Sequence, residues 1–342
     1  MSLGKFITTS GIPASGKSSF AKELADKEEA IIVSSDAIRK EIYGDESCQN
    51  DPNRVFKLMK QRSNDALRAG KSVIFDATNL SARKRTHIIK QEIKASSYEI
   101  YYMATPYDIC LQRNKRRNRQ VPDAVMEKMY KAIQIPFKSE GWDKVEYVHN
   151  YNHAFEDIKE IRNRRIEDNE VGRLVDMLHN TDCHDTLFRN NFPVTLSSEF
   201  AKAYNMPHDS SYHSFSISRH IFHVIDKVKD TENPIDREIL LLSALYHDVG
   251  KPFCKSFYDF KGEKKRYASY IGHENVGAHI ALCDLYALGA DEELIVEVVE
   301  LVQNHMRMMD ASSKTLGKLQ NSMSERQFNR LEALHLSDSV AK

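Results

Sequence analysis

The run Gly11-Ile12-Pro13-Ala14-Ser15-Gly16-Lys17-Ser18 is a G-x-x-x-x-G-K-S loop set between the apolar stretch Phe6-Ile7-Thr8-Thr9 and the amphipathic stretch from Phe20 to Leu24. Between a strand and a helix, such a loop turns successive backbone N–H groups toward phosphates. Its lysine brings a charge near the β and γ groups and its serine hydroxyl reaches Mg²⁺. Gly11, Ser15, Gly16, Lys17, Ser18 and Ser19 are therefore the expected nucleotide-binding set, which implies ATP with Mg²⁺. The loop fixes neither the acceptor nor the reaction.

Acceptor chemistry needs a base, a clamp and charge neutralisation. Asp36 and Arg39 follow the short run Ile31-Ile32-Val33, where the carboxyl end of a strand opens onto the ligand crevice of an α/β sheet. There Asp36 can take a proton from an attacking hydroxyl and Arg39 can hold an acceptor phosphate. A helix cap followed by a solvated arginine would leave the same pattern. Asp76, Thr78 and Asn79 follow a buried-strand pattern at the same edge and can position the acceptor or a metal-bound water, or serve as ordinary turn residues. Residues 113 to 119 carry Arg113, Lys115, Arg116, Arg117 and Arg119. A lid of such cations over the γ-phosphate suits phosphoryl transfer, in which positioning and charge neutralisation do most of the work. A basic face for nucleic acid is the competing reading.

Eleven of the 14 histidines lie after residue 170. His247-Asp248 closes an apolar run from Ile239, with His220 upstream and His273, His305 and Asp338 downstream. Neutral imidazoles with carboxylates are ligands for transition metals such as Mn, Zn, Fe, Ni or Co. His223 and His279 fall off this pattern and are expected to pack or face solvent.

The elements needed to place these groups differ between the two halves. Up to residue 149, the runs Phe6 to Thr9, Ile31 to Val33, Ser72 to Phe75 and Tyr98 to Met103 alternate with helical patterns, the rhythm of a parallel α/β sheet. Amphipathic stretches at 218–229, 236–248, 274–287, 291–305 and 324–337 make the later half read as all-α. The polar segment 150–170 reads as a linker or an exposed connecting helix. The expected organisation is a P-loop kinase domain over 1–149, the linker, and a metal-binding domain over 171–342. Forty-nine basic against 49 acidic residues leave no global field for nucleic acid, so any such contact must be local. Five scattered cysteines with no C-x-x-C pair speak against a disulfide framework or a structural zinc module, and a reducing cytoplasm is expected. Neither a signal peptide nor a membrane span is readable, so a soluble protein is expected.

The ordered motifs G-x-P-x-S-G-K-S, S-D-x-x-R, D-A-T-N-L, R-N-K-R-R and V-P-x-x-V-x-x-x-M-Y over about residues 5 to 140 resemble the phage and bacterial 5′-hydroxyl polynucleotide kinases. The resemblance implies that Lys17 and Ser18 serve ATP and Mg²⁺ and that Asp36 is the general base. It further implies that Arg39 grips the phosphate beside the acceptor nucleoside and that Arg113 and Arg117 are lid arginines. An alanine stands between Asp76 and Thr78-Asn79, which departs from the kinase pattern.

From about 205 onward, the order His220, His247-Asp248-x-Gly250-Lys251, His273, His305, Asp338 resembles the HD phosphohydrolase superfamily. That implies a first metal on His220, His247, Asp248 and Asp338, and a second on His273 and His305 sharing Asp248. Tyr212-His213-Ser214-Phe215 is similar to HD domains attached to CCA-adding enzymes, which makes His213 and Lys251 expected phosphate contacts. The two resemblances together imply healing of RNA or DNA ends: phosphate added at a 5′-hydroxyl, and a 2′,3′-cyclic or terminal phosphate removed, for a ligase acting downstream. Two alternatives are a nucleoside-type kinase fused to an HD nucleotide phosphohydrolase, and a non-enzymatic ATP-driven switch.

Overall fold

The computed structural model describes residues 2–341 apart from 154, 183–196, 205, 211–214, 260 and 310. The chain divides into two compact units, Met1–Asn150 and Tyr151–Lys342.

The first unit runs β1 (Phe6–Ser10), α1 (Lys17–Glu28), β2 (Ile31–Ser34), α2 (Ser35–Tyr43), α3 (Pro52–Arg68), β3 (Val73–Asp76), α4 (Ala82–His87), β4 (Tyr98–Met103), α5 (Tyr107–Lys115), α6 (Asp123–Lys131) and β5 (Lys144–Val148). The strands pair in parallel in the order β2-β3-β1-β4-β5. Because side chains alternate across a strand, Phe6 and Phe75 pack with Val55, Met59 and Leu67 of α3. Ile7 and Ile74 pack with Ala21 and Leu24 of α1. Both faces of β1 and β3 are thereby covered, while β2 at the edge leaves Ile31 and Ile32 exposed. The parallel direction puts the carboxyl ends of β1, β2, β3 and β4 on one rim, and that rim carries the candidate site. Strand β3 ends on Asp76, one residue beyond the expected Ser72 to Phe75 run. Strand β5 was not among the expected strands, since Lys144-Val145-Glu146-Tyr147-Val148 is half polar, as an edge strand can be.

The second unit begins with β6 (Asn152–His153), β7 (Glu156–Asp157), α7 (Ile158–Glu167), α8 (Glu170–Asn180) and α9 (Ser198–Ala201). It continues through α10 (Ile217–Val228), α11 (Pro234–Tyr246), α12 (Lys251–Cys254), β8 (Ser256–Tyr258), β9 (Lys264–Ser269), α13 (His273–Leu288), α14 (Glu292–Asn304), α15 (Ser313–Gln320) and α16 (Glu325–Val340). Helix starts are set by side-chain caps: Ser216 on α10, Asn233 with Pro234 on α11, Asp291 on α14 and Ser324 on α16. The segment 150–170, expected as a linker or exposed helix, forms β6, β7 and α7. Ile158 is buried, and Arg162 donates to the Tyr286 carbonyl at 2.8 Å, so α7 is fastened to α13. Among the described residues the strands of this unit are the β6–β7 pair and the antiparallel β8–β9 hairpin, and its other elements are helices. The hairpin escaped the periodicity argument because β9 is polar and exposed over most of its length.

One buried side chain holds the segment that follows β3. Arg85 on α4 is 1% exposed, and its Nε and Nη2 donate to the two carboxylate oxygens of Glu140 at 2.9 and 2.5 Å. Its Nη1 donates to the carbonyls of Asn79, Leu80 and Gln134. Removing one partner of a buried, fully bonded pair strands the other charge. Arg85→Met is therefore expected to destabilise the chain by about 3–5 kcal/mol, measured as a lower urea midpoint at constant m-value. A shift indistinguishable from that of an exposed control such as Arg68→Met would contradict this role.

Candidate functional site

In the first unit the loop after β1 is shaped by Gly11 (φ 148°) and Gly16 (φ 99°), which take backbone conformations that side chains disfavour. A Cβ on Gly11 would also lie 2.8 Å from Ser15 Oγ. Lys17 is buried, and its ammonium donates to the Ile12 carbonyl at 2.6 Å. Burial pulls its pKa down to about 8 against the opposing charge of Asp76, and Arg117 adds a smaller downward push. Ser15 is buried within the loop, and Ser19 is exposed on α1.

Asp76 at the end of β3 accepts from Thr9 Oγ1 and Ser18 Oγ, each at 3.2 Å. A carboxylate beside the loop serine fits the Mg²⁺ side of such a site, not the acceptor side. Asn79, expected at the acceptor, turns back instead. It adopts φ 46°, and its Nδ2 donates to Thr8 Oγ1 and the Thr9 carbonyl, both at 2.8 Å, so the side chain is committed to tying the β3 exit to β1. Thr78 takes part through its carbonyl, which accepts from Gly11 N at 3.1 Å.

Asp36 and Arg39 lie on the first turn of α2, where Arg39 Nη1 donates to Asp36 Oδ1 at 2.8 Å. The Asp36 carboxylate is about half exposed, whereas Arg39 is buried and its Nε has no hydrogen-bond partner. Arg119 Nη1 stands 3.4 Å from the other Asp36 oxygen and 3.2 Å from Glu46, a pairing that the basic run alone did not disclose. The run itself is drawn in by reciprocal bonds between the Asn114 amide and the Val121 backbone. Arg113 Nη1 lies 3.8 Å from where a Gly16 Cβ would sit, which places one cation of the basic run next to the loop after β1.

In the second unit His220 of α10, His247 and Asp248 after α11, His273 opening α13, His305 after α14 and Asp338 of α16 converge. Two groupings can hold an ion: His220, His247 and Asp248, and Asp248, His273 and His305, with the ligand atoms in each within 4.8 Å of one another. Asp248 bridges them, Oδ2 lying 3.5 Å from the Nε2 atoms of both His220 and His247 and Oδ1 3.3 Å from His273 Nε2. Asp338 Oδ1 is 2.8 Å from His220 Nε2 and 3.8 Å from His247 Nε2, on the first grouping.

The hydrogen bonds behind the ring atoms test whether a cation fits. The Nδ1 atoms of His220, His247, His273 and His305 lie 2.7–2.8 Å from the carbonyls of Ala341, Ala244, Tyr270 and Val302. A carbonyl only accepts, so each Nδ1 carries a proton and each Nε2 is the ring atom turned toward the cluster. The Nε2 atoms stand 3.3 Å apart between His220 and His247 and 3.2 Å apart between His273 and His305, and His220 Nε2 also faces Asp338 Oδ1 at 2.8 Å. A cation in that space would satisfy the ring nitrogens and the carboxylates together. Burial lowers the His247 pKa, and pushes that of His305 down to about 3 with further help from His273 and His247, so these rings stay neutral. Burial alone would raise the Asp248 carboxyl, but the Lys251 ammonium 2.5 Å away holds it well below the usual carboxylate range.

A close approach of backbones assembles this cluster. A Cβ on Gly250 would lie 2.1 Å from the His273 carbonyl oxygen, and one on Gly277 would lie 2.9 Å from that of Tyr246. Lys251, expected at phosphate, donates to Asp248 Oδ2 at 2.5 Å and lies 3.0 Å from His208 Nε2. His208 is buried with Nδ1 2.9 Å from the Phe215 carbonyl, and it was not among the expected residues. Nothing in Met206-Pro207-His208-Asp209 marks it locally. His213, expected nearby, lies outside the described residues. Of the two histidines set aside, His223 stacks on Phe215 and His279 is buried beside Cys283.

The AAA domain model matches residues 6–136 and the HD domain model residues 211–340. The chain is 28% identical over 206 residues to the L-seryl-tRNA(Sec) kinase of Methanococcus maripaludis, covering 54% of this chain and 77% of that protein. It is 37% identical over 75 residues to the CC-adding tRNA nucleotidyltransferase of Thermus thermophilus, covering 22% of this chain but only 16% of the relative. Among solved structures, a chain of the Pnkp1/Rnl/Hen1 RNA repair complex aligns at 22% identity and a TM-score of 0.34, over 39% of this chain and 44% of that one. A gluconokinase from Sinorhizobium meliloti 1021 aligns at 17% identity and a TM-score of 0.32, over 43% and 83%. The chain thus carries a P-loop kinase-like domain followed by a helical HD domain. The first implies ATP and Mg²⁺, and the second has a His/Asp cluster able to hold a divalent metal. No helix among the described residues is long and apolar enough to cross a membrane.

Two outcomes are expected. Metal should stabilise the folded chain: at a thousandfold excess over its dissociation constant it contributes about 4 kcal/mol, or roughly 10 °C in the melting midpoint. In chelator, acidification below pH 6.5 should lower that midpoint further. His247, His208 and His305 have lowered folded pKa values, so the unfolded chain binds more protons from 6.5 downward, toward about 3 for His305. Calorimetry with and without chelator reads both effects, and a chelator-insensitive midpoint would contradict the metal centre. Secondly, Gly250→Ala should cost about 1–3 kcal/mol by overpacking and reduce bound metal measured by elemental analysis. Unchanged metal content would show that the close approach is dispensable.

Proposed function

We propose that the chain is a nucleic-acid end-healing enzyme. Its first unit transfers the ATP γ-phosphate to a 5′-hydroxyl of RNA or DNA, and its HD unit hydrolyses a 2′,3′-cyclic or terminal phosphate. The observation that carries the kinase half is the Asp36–Arg39 pair. A half-exposed carboxylate is held at 2.8 Å by a buried guanidinium whose Nε has no partner. That is a seat for a hydroxyl next to an anion, so an acceptor with a phosphodiester beside the reacting hydroxyl suits it better than a free nucleoside does.

In this mechanism Asp36 takes the hydroxyl proton as the oxygen attacks the γ-phosphorus, while Arg39 holds the adjoining phosphate and keeps the carboxylate aimed. Lys17, Arg113 and Arg117 face the charge that spreads over the transferred group, and the leaving diphosphate stays on the loop N–H groups. Ser18 and Asp76 would hold Mg²⁺, which screens the phosphate charges when bound. In the HD unit His220, His247, Asp248 and Asp338 would hold one metal, and His273, His305 and Asp248 a second. A divalent ion there supplies Lewis acidity toward a phosphoryl oxygen. The carbonyl bonds at each Nδ1 fix the tautomer, and the Lys251 ammonium between Asp248 and His208 is placed to receive a phosphoryl oxygen.

A second reading has one observation in its favour. The relative from Methanococcus maripaludis is by name a kinase of a seryl group carried on a tRNA, so the acceptor hydroxyl here would sit on a group attached to RNA. Transfer of labelled γ-phosphate, run on a 5′-hydroxyl RNA, an aminoacylated RNA and a free nucleoside, separates the readings. Asp36→Asn is expected to lower transfer to the 5′-hydroxyl RNA by about 10²–10⁴-fold and to spare phosphoesterase turnover. Asp248→Ala is expected to do the reverse. Loss of both activities in either variant would contradict two separate sites, and labelling of the nucleoside alone would move the first unit to small-molecule chemistry.

A further inference from the structure

The β8–β9 hairpin lies outside the chemistry assigned so far, and its exposed residues are strongly basic. Residues 261–267 are all exposed and hold Lys261, Lys264, Lys265 and Arg266 against the single carboxylate of Glu263. The whole chain, by contrast, balances 49 basic with 49 acidic residues. Flanking these cations are apolar side chains turned to solvent: Tyr258, which pairs with Lys264 across the hairpin, is 57% exposed, Tyr267 42% and Ile271 85%. The Arg266 guanidinium sits 5.2 Å from the Tyr267 ring centroid, so a flat cation and a flat ring share one surface.

The hairpin is also fastened to the His/Asp cluster. Lys255, just before β8, donates to the Pro207 carbonyl at 2.7 Å and to Asp209 at 2.6 Å, and Ala268 N donates to the Asp209 carbonyl at 2.8 Å. The Tyr270 hydroxyl donates to the His208 carbonyl, and the Tyr270 carbonyl accepts from His273 Nδ1 at 2.8 Å. Tyr267 and His273 are six positions apart, at most about 20 Å of chain.

We propose that this hairpin is the docking strand for single-stranded nucleic acid whose terminal phosphate enters the His/Asp cluster. The proposal rests on the reading of the HD unit as acting on a polynucleotide end. Cations that track a phosphate backbone, alternating with rings on which bases stack, are the chemistry of single-strand binding. An acidic protein would use the charges and leave the rings and Ile271 idle. In a protein without net charge, the local concentration of cations beside the cluster matches the polyanion that the cluster would process.

The test measures binding of the full-length, metal-loaded protein to an internally labelled single-stranded RNA bearing a 5′-phosphate and a 3′-hydroxyl, ends that neither reaction consumes. Fluorescence anisotropy is recorded over a salt series. Lys264→Ala/Lys265→Ala/Arg266→Ala is expected to weaken binding and to flatten the slope of log affinity against log salt by about 2, at roughly 0.7 per phosphate contact on a single strand. Tyr267→Ala is expected to weaken it roughly 10-fold, the size of one lost stacking contact. Circular dichroism and bound metal verify that the variants fold. Arg39→Ala, measured in parallel, reports binding at the first unit. Loss of RNA binding in Arg39→Ala with wild-type binding in the hairpin variants overturns the proposal, even if the hairpin then proves to hold an acidic protein or anionic vesicles. Failure of the wild type to bind RNA overturns it as well.

A second readout separates this proposal from the function on which it rests. The triple variant should raise KM for a cyclic-phosphate-ended oligonucleotide more than for a 2′,3′-cyclic mononucleotide, and an equal change in both would count against docking. If the wild type hydrolyses neither, the end-healing reading falls, while the binding series still decides whether the hairpin holds the strand.

Discussion

Two backbones that touch without side chains between them set up the second unit. Gly250 lies against the first turn of α13 and Gly277 of that helix lies against the end of α11, distances that leave no room for a methyl group at either place. The contact puts Asp248 level with His273, and together with α10, α14 and α16 it lets one carboxylate face two pairs of imidazoles whose four Nε2 atoms aim into a common space. The helices that deliver His220 and His305 then need only ordinary apolar packing and capped starts, since the carbonyl bond at each Nδ1 sets the ring orientation.

The first unit obtains its site by a different constraint. Parallel strands put all their carboxyl ends on one rim, so groups far apart in sequence become neighbours without dedicated contacts. Thr9, Ser18 and Asp76 meet because β1 and β3 are adjacent, and β2 beyond β3 brings Asp36, just after its carboxyl end, to the same rim. What does need a dedicated contact is the exit from β3, where the chain must turn away after Asp76. Arg85 takes three carbonyls of that neighbourhood on one guanidinium nitrogen and neutralises Glu140 with the other two.

The loop from Gly11 to Ser18 carries its chemistry in its own spacing, whereas His247-Asp248 gained its meaning from the order of His220, His273, His305 and Asp338 around it, residues that the structure brings to one cluster. The apolar periodicity was enough to assign an α/β first half and a helical second one. The parts that stayed hidden depend on register and on distant pairing. Asp76 and Asn79 looked equivalent as polar residues after a strand, yet one points at Ser18 while the other folds back onto Thr8 and Thr9. The strand ends one residue later than its apolar pattern, and Asn79 takes a positive φ. His208 meets Lys251 across 43 residues of chain, and no local pattern announces such a meeting. The β8–β9 hairpin carried no alternation of apolar and polar residues, because most of β9 faces water.

Lys17 rests on the carbonyl of Ile12, so the loop's own backbone offers its ammonium an acceptor of the kind a phosphate oxygen would provide. Burial has already brought this ammonium's pKa to about 8, and a polyphosphate arriving beside it pulls the proton back on. Filling the loop is thus an exchange of one partner for another joined to proton uptake. The heat of nucleotide binding near pH 8 will therefore carry the signature of the buffer that gives up the proton.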